Sequence, residues 1–472
     1  MTTNSEPNMT DTATPPAGLS AELTAHWSAR LGELAARHRV PGANLAVLHR
    51  GEVIIETATG MANVEAGITA TPDTLFQIGS ISKVWTTTVA MALVDEGVLE
   101  LDAPIVSVLP ELRLVNEELT QGVTLRHLVT HTSGIDGDFF ADTGRGDDCL
   151  EKFTALLADV AANHPLGATM SYCNAGFSLL GRVLEHVTGV QWDELMRERL
   201  YRPLGLTRTA TLPEEVLRFR AATGHPGEPP APTPQWGLMR SAGPAGLICS
   251  TPREVLAFAR MHMNGGVTDD GTKILSAGGA TAMQTPQVEV PDPHMLGRAW
   301  GLGWLLDTWD GQRVYGHDGG TIGQSAFLRV LPESDLAICL LTNGGDTAGL
   351  YLSVFSELVR ELAGATMRTT PEPAKEPVAV DPAKYVGVYE RLSSRREIVE
   401  RDGTLVMLDT VTGPLAALAS STEQEFTLHP VEPGLFVLRR PGFTPWLPVV
   451  FYTIADGTAY LHHGARATPK VG

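Results

Sequence analysis

No run of about 18 apolar residues occurs anywhere in the 472-residue chain, so no membrane-spanning helix is expected. Basic residues are in short supply: 35 Lys+Arg against 54 Asp+Glu leave a formal net charge of -19. So acidic a surface argues against nucleic acid or an anionic membrane as a partner. Cysteine is scarce too. Cys149, Cys173, Cys249 and Cys339 lie far apart with no CxxC spacing, which weighs against a zinc site or a disulfide framework and suits reduced thiols. The opening stretch "MTTNSEPNMTDTATPPAG" has no basic segment followed by an apolar core. It does not read as a signal peptide; residues 1–18 read as a disordered leader, and a cytoplasmic location is expected. There is no GxSxG elbow, P-loop or GxGxxG fingerprint. His127 and His131 are four apart, but no Glu follows the first as HExxH zinc binding requires. His462-His463 would point to opposite faces of a strand. Neither a metal nor another cofactor is expected.

What is present is a large apolar fraction, 43%, enough for more than one packed domain. Leu23, Trp27, Leu31 and Leu34 recur at helical spacing. Two strand-like runs follow, "ANLAVLHR" and "EVIIETATG", joined by a turn at Gly51. The middle alternates helical patterns such as "NAGFSLLGRVLEHVTG" with Gly/Pro-rich loops. Three strand-like runs, "GQRVYGHDGG", "QSAFLRVLP" and "LAICLLTN", then precede the helical "YLSVFSELVRELAG". Strands at both ends with helices between predict one sheet built from both termini of a catalytic domain over 19–366. Residues 367–382 carry four prolines and read as a linker. The final segment, 383–472, shows short strands and the turn pairs Asp402-Gly403 and Asp456-Gly457, predicting a small all-β sandwich or barrel.

Chemistry concentrates first at "FQIGSISK". Ser80 and Lys83 stand three apart where a helix begins, so they share a face. A serine hydroxyl needs a base to take its proton, and a lysine amine can serve if burial or neighbouring cations lower its pKa. Ser82 would point away. Read alone, Ser80 could equally be a helix cap and Lys83 a solvated charge.

The flanks of Ser80 resemble the nucleophile motif of the serine β-lactamase and penicillin-binding protein superfamily. Two further motifs of that family have counterparts in order: Tyr172-x-Asn174 in "SYCNAGFSLLG" and His317-x-Gly319 in "VYGHDGGTIG". "LRHLVTHTSGI" resembles the family's segment between the first two. The resemblance covers roughly 20–365. Singly, Tyr172 could be a half-buried aromatic, Asn174 a helix cap and His317 a structural histidine. Together they imply a class C-like α/β (α+β) fold, an antiparallel sheet flanked by helices, and an acyl-enzyme on Ser80. Lys83 and Tyr172 would share the Ser80 proton, with nearby positive charge lowering the tyrosine pKa. Asn174 would orient Lys83 and the substrate, and His317 would donate a hydrogen bond or pass a proton. The backbone N–H groups of Ser80 and Gly320 would form the oxyanion hole. Gly319 and Gly320 leave room for substrate beside the strand.

Histidine in place of the third-motif lysine looks like the aminopeptidase, esterase and peptide-cyclase branches, and lowers the expectation of β-lactam hydrolysis. "YVGVY" begins what looks like a lipocalin-like appendage, and Arg466 in "HHGARATPK" could clamp a substrate carboxylate. The architecture resembles the penicillin-binding-protein-type thioesterases. These would take a nonribosomal peptide thioester from a peptidyl carrier protein and release it as a macrocycle. An esterase, a D-amino-acid amidase or D-aminopeptidase, a β-lactamase and a non-catalytic sensor module remain the alternatives.

Overall fold

The computed structural model describes residues 17–413, 416 and 422–472. Of the expected leader, residues 1–16 lie outside these, while Ala17 and Gly18 already belong to the first helix, Ala17–Arg37.

Nine strands form one antiparallel sheet, and a separate short pair, β4 with β5, lies beside it. In chain order they are β1 (Gly42–His49), β2 (Glu52–Asn63), β3 (Ile68–Thr69), β4 (Phe76–Gln77), β5 (Cys249–Ser250), β6 (Val288–Glu289), β7 (Ala299–Trp300), β8 (Leu305–Trp309), β9 (Gln312–Thr321), β10 (Gln324–Leu331) and β11 (Leu336–Thr342). The sheet runs β3-β2-β1-β11-β10-β9-β8-β7-β6, so the two ends of the domain meet at the β1–β11 pair, with Ala43 opposite Thr342. Alternation along β11 explains why both faces are covered. Ile338 and Leu340 pack against Trp27, Leu31 and Leu34 of the first helix and Leu350, Val354 and Leu358 of the helix Thr347–Ala363. Cys339 and Leu341 face the larger core around the helix Ile81–Asp95, as the two-residue period of a strand dictates. Strands β6 to β8 are not apparent in the sequence. Two of them are only two residues long, and Gly297, Gly301 and Gly303 interrupt the run.

The Ser80 helix sits inside the larger core, with every residue from Ile81 to Leu93 buried. A helix with no solvent-facing side has to be surrounded by packing, and its polar Thr86, Thr87 and Thr88 bond back to carbonyls of the preceding turn. No helix among the described residues is long and apolar enough to cross a membrane.

Residues 367–381 form neither helix nor strand. Beyond them lie two further antiparallel sheets. One holds four strands, Gly387–Arg391, Ser394–Arg401, Thr404–Val411 and Glu423–Thr427, and the other five, from His429 to Pro469. Their shared core includes Tyr389, Ile398, Met407, Phe436, Val449 and Leu461, and a bridge between Tyr389 and Lys470 joins the sheets. The unit rests on the Tyr172 segment of the first: Tyr172 N–H donates to Ala465 O at 2.9 Å, and Tyr460 Oη donates to Asn163 O at 3.1 Å.

Candidate active site

The nucleophile turn is built by crowding. β4 pairs only with β5, and the chain then bends at Gly79, whose φ is +51. A Cβ there would stand 2.6 Å from Gly320 N, so only glycine lets the turn approach the β9 strand so closely. Ser80 follows at the helix start and makes no side-chain cap. Ser82 faces elsewhere, its Oγ accepting from Ile248 N–H at 3.1 Å. Lys83 is fully buried. Its Nζ lies 3.1 Å from Ser80 Oγ and 2.7 Å from Ala245 O. Burial, aided by the Arg466 charge, drives its pKa well below the ordinary lysine value. Burial therefore favours the neutral amine, a base beside the serine rather than a solvated cation.

Tyr172 forms the next wall. Its ring stacks on His131 at 4.2 Å between centroids, meets Trp300 edge-on at 5.9 Å and has Lys83 Nζ 4.9 Å from its centre. Here the structure corrects an expectation: the phenol pKa is raised, not lowered. Burial pushes it up further than neighbouring Ser80 and Arg466 pull it down. Lys83, whose charge burial disfavours, is not among the leading influences on it. No well-aligned hydrogen-bond partner reaches the Tyr172 hydroxyl among the described residues, although Ser80 is close enough to influence it. Asn174 also differs from expectation. Cys173, whose Sγ accepts from Gly176 N–H, caps the helix Asn174–Thr188. Asn174 is its first residue, with its backbone N–H on Gly137 O at 3.0 Å. The two hydrogen bonds of Lys83 go to Ser80 and Ala245, not to Asn174.

The third wall is β9. β8 stops pairing at Gly316, opposite Leu305, so from His317 onward β9 keeps β10 on one side and an open edge on the other. Gly319 presses against the nucleophile turn, where a Cβ would fall 1.9 Å from Ile78 O. At Gly320 a Cβ would meet nothing within 4 Å, which is the open side of the cleft. His317 is buried, with Nδ1 2.6 Å from Asp318 O and its ring 6.1 Å from that of Tyr172. The contact to a carbonyl fixes the proton on Nδ1 and leaves Nε2, which has no partner among the described residues, as an acceptor. Burial is the main cause that pushes the His317 pKa down to about 3, and any positive charge on Lys83 adds to it. We therefore expect no inflection attributable to His317 near pH 6.5 in kcat/KM, its ordinary titration range being about 6.5. An acid limb at that pH, present in the wild type and missing in His317→Gln, would contradict this.

The C-terminal unit contributes a charge. Arg466 Cζ lies 4.9 Å from the Tyr172 ring centre. Its Nη2 donates to Asp138 at 2.8 Å and its Nη1 to Gly464 O at 2.9 Å. Arg391 donates to the other oxygen of Asp138. Arg466 is thus in the site, but both its Nη atoms already donate to protein oxygens, and its Nε has no partner among the described residues. Asp138 and Arg391 were missed from the sequence. The signal was the "SGIDGD" loop, where Gly137 is needed because a Cβ would fall 2.2 Å from Tyr172 O. His131, considered only as a zinc ligand, instead backs Tyr172, with Nδ1 accepting from Cys173 N–H at 3.0 Å.

A family model described as Beta-lactamase matches residues 27–353. The chain belongs to the β-lactamase family. It is 45% identical over 372 residues to "Penicillin-binding protein 4" of Amycolatopsis lactamdurans, covering 78% of this chain and 97% of that one. A crystal structure of SurE with D-Leu matches with a TM-score of 0.74 at 28% identity, over 96% of this chain and all of the other. The D-amino acid amidase from Ochrobactrum anthropi SV3, complexed with L-phenylalanine amide, matches at 25% identity with a TM-score of 0.59, over 73% and 98% of the two chains. The likeness to SurE therefore extends through the C-terminal sheets, while the amidase match covers about the extent of the catalytic unit.

As a serine hydrolase of the β-lactamase family, the chain acts where a carbonyl carbon could meet Ser80 Oγ. A neutral amine stands behind the serine, the open β9 edge runs beside it, and the neutral acid Tyr172 lies opposite. No carboxylate or charged lysine occupies the His317 position.

Proposed function

We propose that this enzyme is a stand-alone thioesterase of the penicillin-binding-protein type. It would take a nonribosomal peptide thioester, delivered on a peptidyl carrier protein, onto Ser80 and release it as a macrocycle. The observation that carries the acyl transfer is the buried neutral Lys83 amine 3.1 Å from Ser80 Oγ. Lys83 takes the hydroxyl proton as Oγ attacks the thioester carbon. The oxyanion is held by the N–H groups of Ser80 and Gly320, each such donor being worth about 3 kcal/mol. Collapse expels the thiolate, which receives a proton from the protonated Lys83 or through Tyr172. In the second half the peptide's own amine attacks the ester. It loses its proton to Lys83 and Tyr172 while Ser80 Oγ regains one.

Two observations support a peptide substrate with a D-residue at the acyl end: the whole-length likeness to SurE holding D-Leu, and the likeness to a D-amino acid amidase. The neutral His317 gives β-lactam carboxylates no fixed cation at that position, which disfavours the β-lactamase alternative. Ser80, Lys83, Tyr172 and His317 are joined by a chain of close contacts, which disfavours a non-catalytic sensor.

Intact-mass spectrometry after mixing with a peptidyl thioester ending in a D-residue should show an adduct on Ser80, and the product ratio should favour the ring over the linear acid. An adduct that persists in Ser80→Ala sinks the acyl-enzyme. The amidase likeness supports a second reading, hydrolysis of esters or D-amino-acid amides; far faster turnover of a p-nitrophenyl ester or D-alanine anilide than of the thioester would select it. In Tyr172→Phe, release should slow about 10²–10⁴-fold, the usual range for a lost acid–base group, and the Ser80 adduct should accumulate. Unchanged release would remove Tyr172 from the proton path.

A further inference from the structure

We infer that Arg329 and Asp318, on the face of β9 turned away from Ser80, form a positioning pair that fixes the catalytic edge of that strand. The inference rests on the reading of Ser80 as the acylated serine and Gly320 N–H as an oxyanion donor.

Strand alternation puts His317 and Gly319 on the Ser80 side and Asp318 on the other. There the Asp318 carboxylate receives two parallel hydrogen bonds from Arg329, Nη1 to Oδ1 at 2.5 Å and Nη2 to Oδ2 at 3.0 Å. This two-pronged fit is the geometry an arginine makes best and a lysine cannot copy. Arg329 is 4% exposed, its Cζ lies 5.1 Å from the Tyr351 ring centre, and it stays charged because the cost of burial, the largest influence, is exceeded by Asp318 together with Tyr351 and Asp307. In the β9–β10 register Phe327 is opposite Asp318 and Arg329 is opposite Gly316, so the pair crosses the ladder diagonally. Gly316 makes the crossing possible. Its absent Cβ would lie 3.0 Å from Arg329 Cδ and 2.0 Å from Leu328 O.

The need for such a pair follows from where β8 ends. Up to Gly316, β9 is held by ladders on both sides. From His317 to Thr321 it has β10 alone, in the stretch that must present Gly320 N–H to the reacting carbonyl. Packing behind it is incomplete, since a cavity of about 190 Å³ lined in part by Asp318, Arg329, Phe327, Tyr351 and Leu447 lies against that face. A strand end with one ladder and a void behind it can twist, and oxyanion stabilisation depends on donor placement. The ion pair supplies the second tether.

Asp318→Asn keeps the size of the side chain and loses its charge. Arg329→Met keeps the stem in the Gly316 groove and loses the fork. Each should lower kcat about 10–100-fold, less than the roughly 10²–10³-fold of losing an oxyanion donor outright because the donor is displaced and not removed, while KM stays within about twofold because ground-state binding is untouched. A phenylboronate, whose tetrahedral adduct on Ser80 places an oxygen in the oxyanion hole, should bind more weakly in proportion to the loss in kcat. Arg329→Lys should recover part of the activity. Wild-type kcat and boronate affinity in folded Asp318→Asn overturn the inference. So does a kcat loss that merely follows the unfolded fraction and vanishes on cooling. Absence of any Ser80 adduct in the wild type overturns the acyl-enzyme reading itself, and this inference with it.

Discussion

Replacing Lys83 by Met should abolish acylation of Ser80 and at the same time make the protein more stable. The loss of activity should be of the order of 10⁴–10⁶-fold, the range seen when one member of a nucleophile–base unit is removed. Lys83→Arg should not rescue it, because a guanidinium stays charged at every accessible pH and cannot accept the serine proton. The gain in stability comes from burial. In the unfolded chain the lysine carries a proton up to its ordinary pKa. In the folded state burial and Arg466 hold the amine neutral until far lower pH. Between those two values the unfolded state binds one proton more, so wild-type stability falls by about 1.4 kcal/mol for each unit by which pH is lowered. The Lys83→Met variant has no such dependence, and the unbranched methionine side chain suits the same position beside the Tyr172 and Phe177 rings. The Tm difference between Lys83→Met and wild type should therefore widen from about pH 10 towards neutrality, then level off once the folded lysine protonates. The acylation rate of the wild type should fall in that same acid range. A pH-independent Tm difference would show that Lys83 is charged in the folded protein, and with it the general-base role would fail.

This pairing of base and serine was legible because it is local. Ser80 and Lys83 sit three residues apart, and the helical period places them together whatever the rest of the chain does. The β9–β10–β11 run was legible for a related reason, since alternation with a clear turn at each end specifies strands. The electrostatics of the site were not legible. Tyr172 was expected to be a depressed phenol beside a cation. That expectation failed because Lys83 is desolvated, which disfavours its charge, and Tyr172 is desolvated too, which raises its own pKa. Burial is a sum over neighbours distant in sequence, so no window on the chain contains it. Asn174 illustrates a smaller limit. A one-residue shift of the cap to Cys173 changes which side chain serves the helix, and cap position is the least determined feature of a helical pattern. The Asp318–Arg329 pair was invisible for a third reason: it depends on the register of β9 against β10 and on where β8 ends.

The contacts farthest apart in sequence carry the last prediction. Asp138 is buried between Arg391 and Arg466, residues from the adjoining edge strands of the two C-terminal sheets. Burial alone would raise its pKa, but the two guanidinium charges win and hold it well below the ordinary carboxylate value. Asp138→Ala leaves both arginines without their carboxylate. Breaking a buried pair in this way typically costs about 3–5 kcal/mol, so a large drop in Tm is expected. Because the folded pKa is depressed, the stabilisation is complete above the unfolded value of about 3.9 and disappears as pH falls below it. The Tm difference between wild type and Asp138→Asn should accordingly shrink below about pH 4. The triple change Asp138→Leu, Arg391→Met, Arg466→Met separates structure from chemistry, since replacing a whole buried ionic cluster by apolar groups is often neutral for stability. If the C-terminal unit serves only as a brace, this variant should regain both Tm and acyl transfer. Arg466, however, lies 4.9 Å from the Tyr172 ring and is the main positive charge acting on that phenol. Losing it raises the Tyr172 pKa further and makes the phenolate harder to form. The expected outcome is therefore a restored Tm with release from Ser80 still slowed, and Arg466→Met alone should show the same slowing. Wild-type release in both variants would make the C-terminal unit a brace and nothing more.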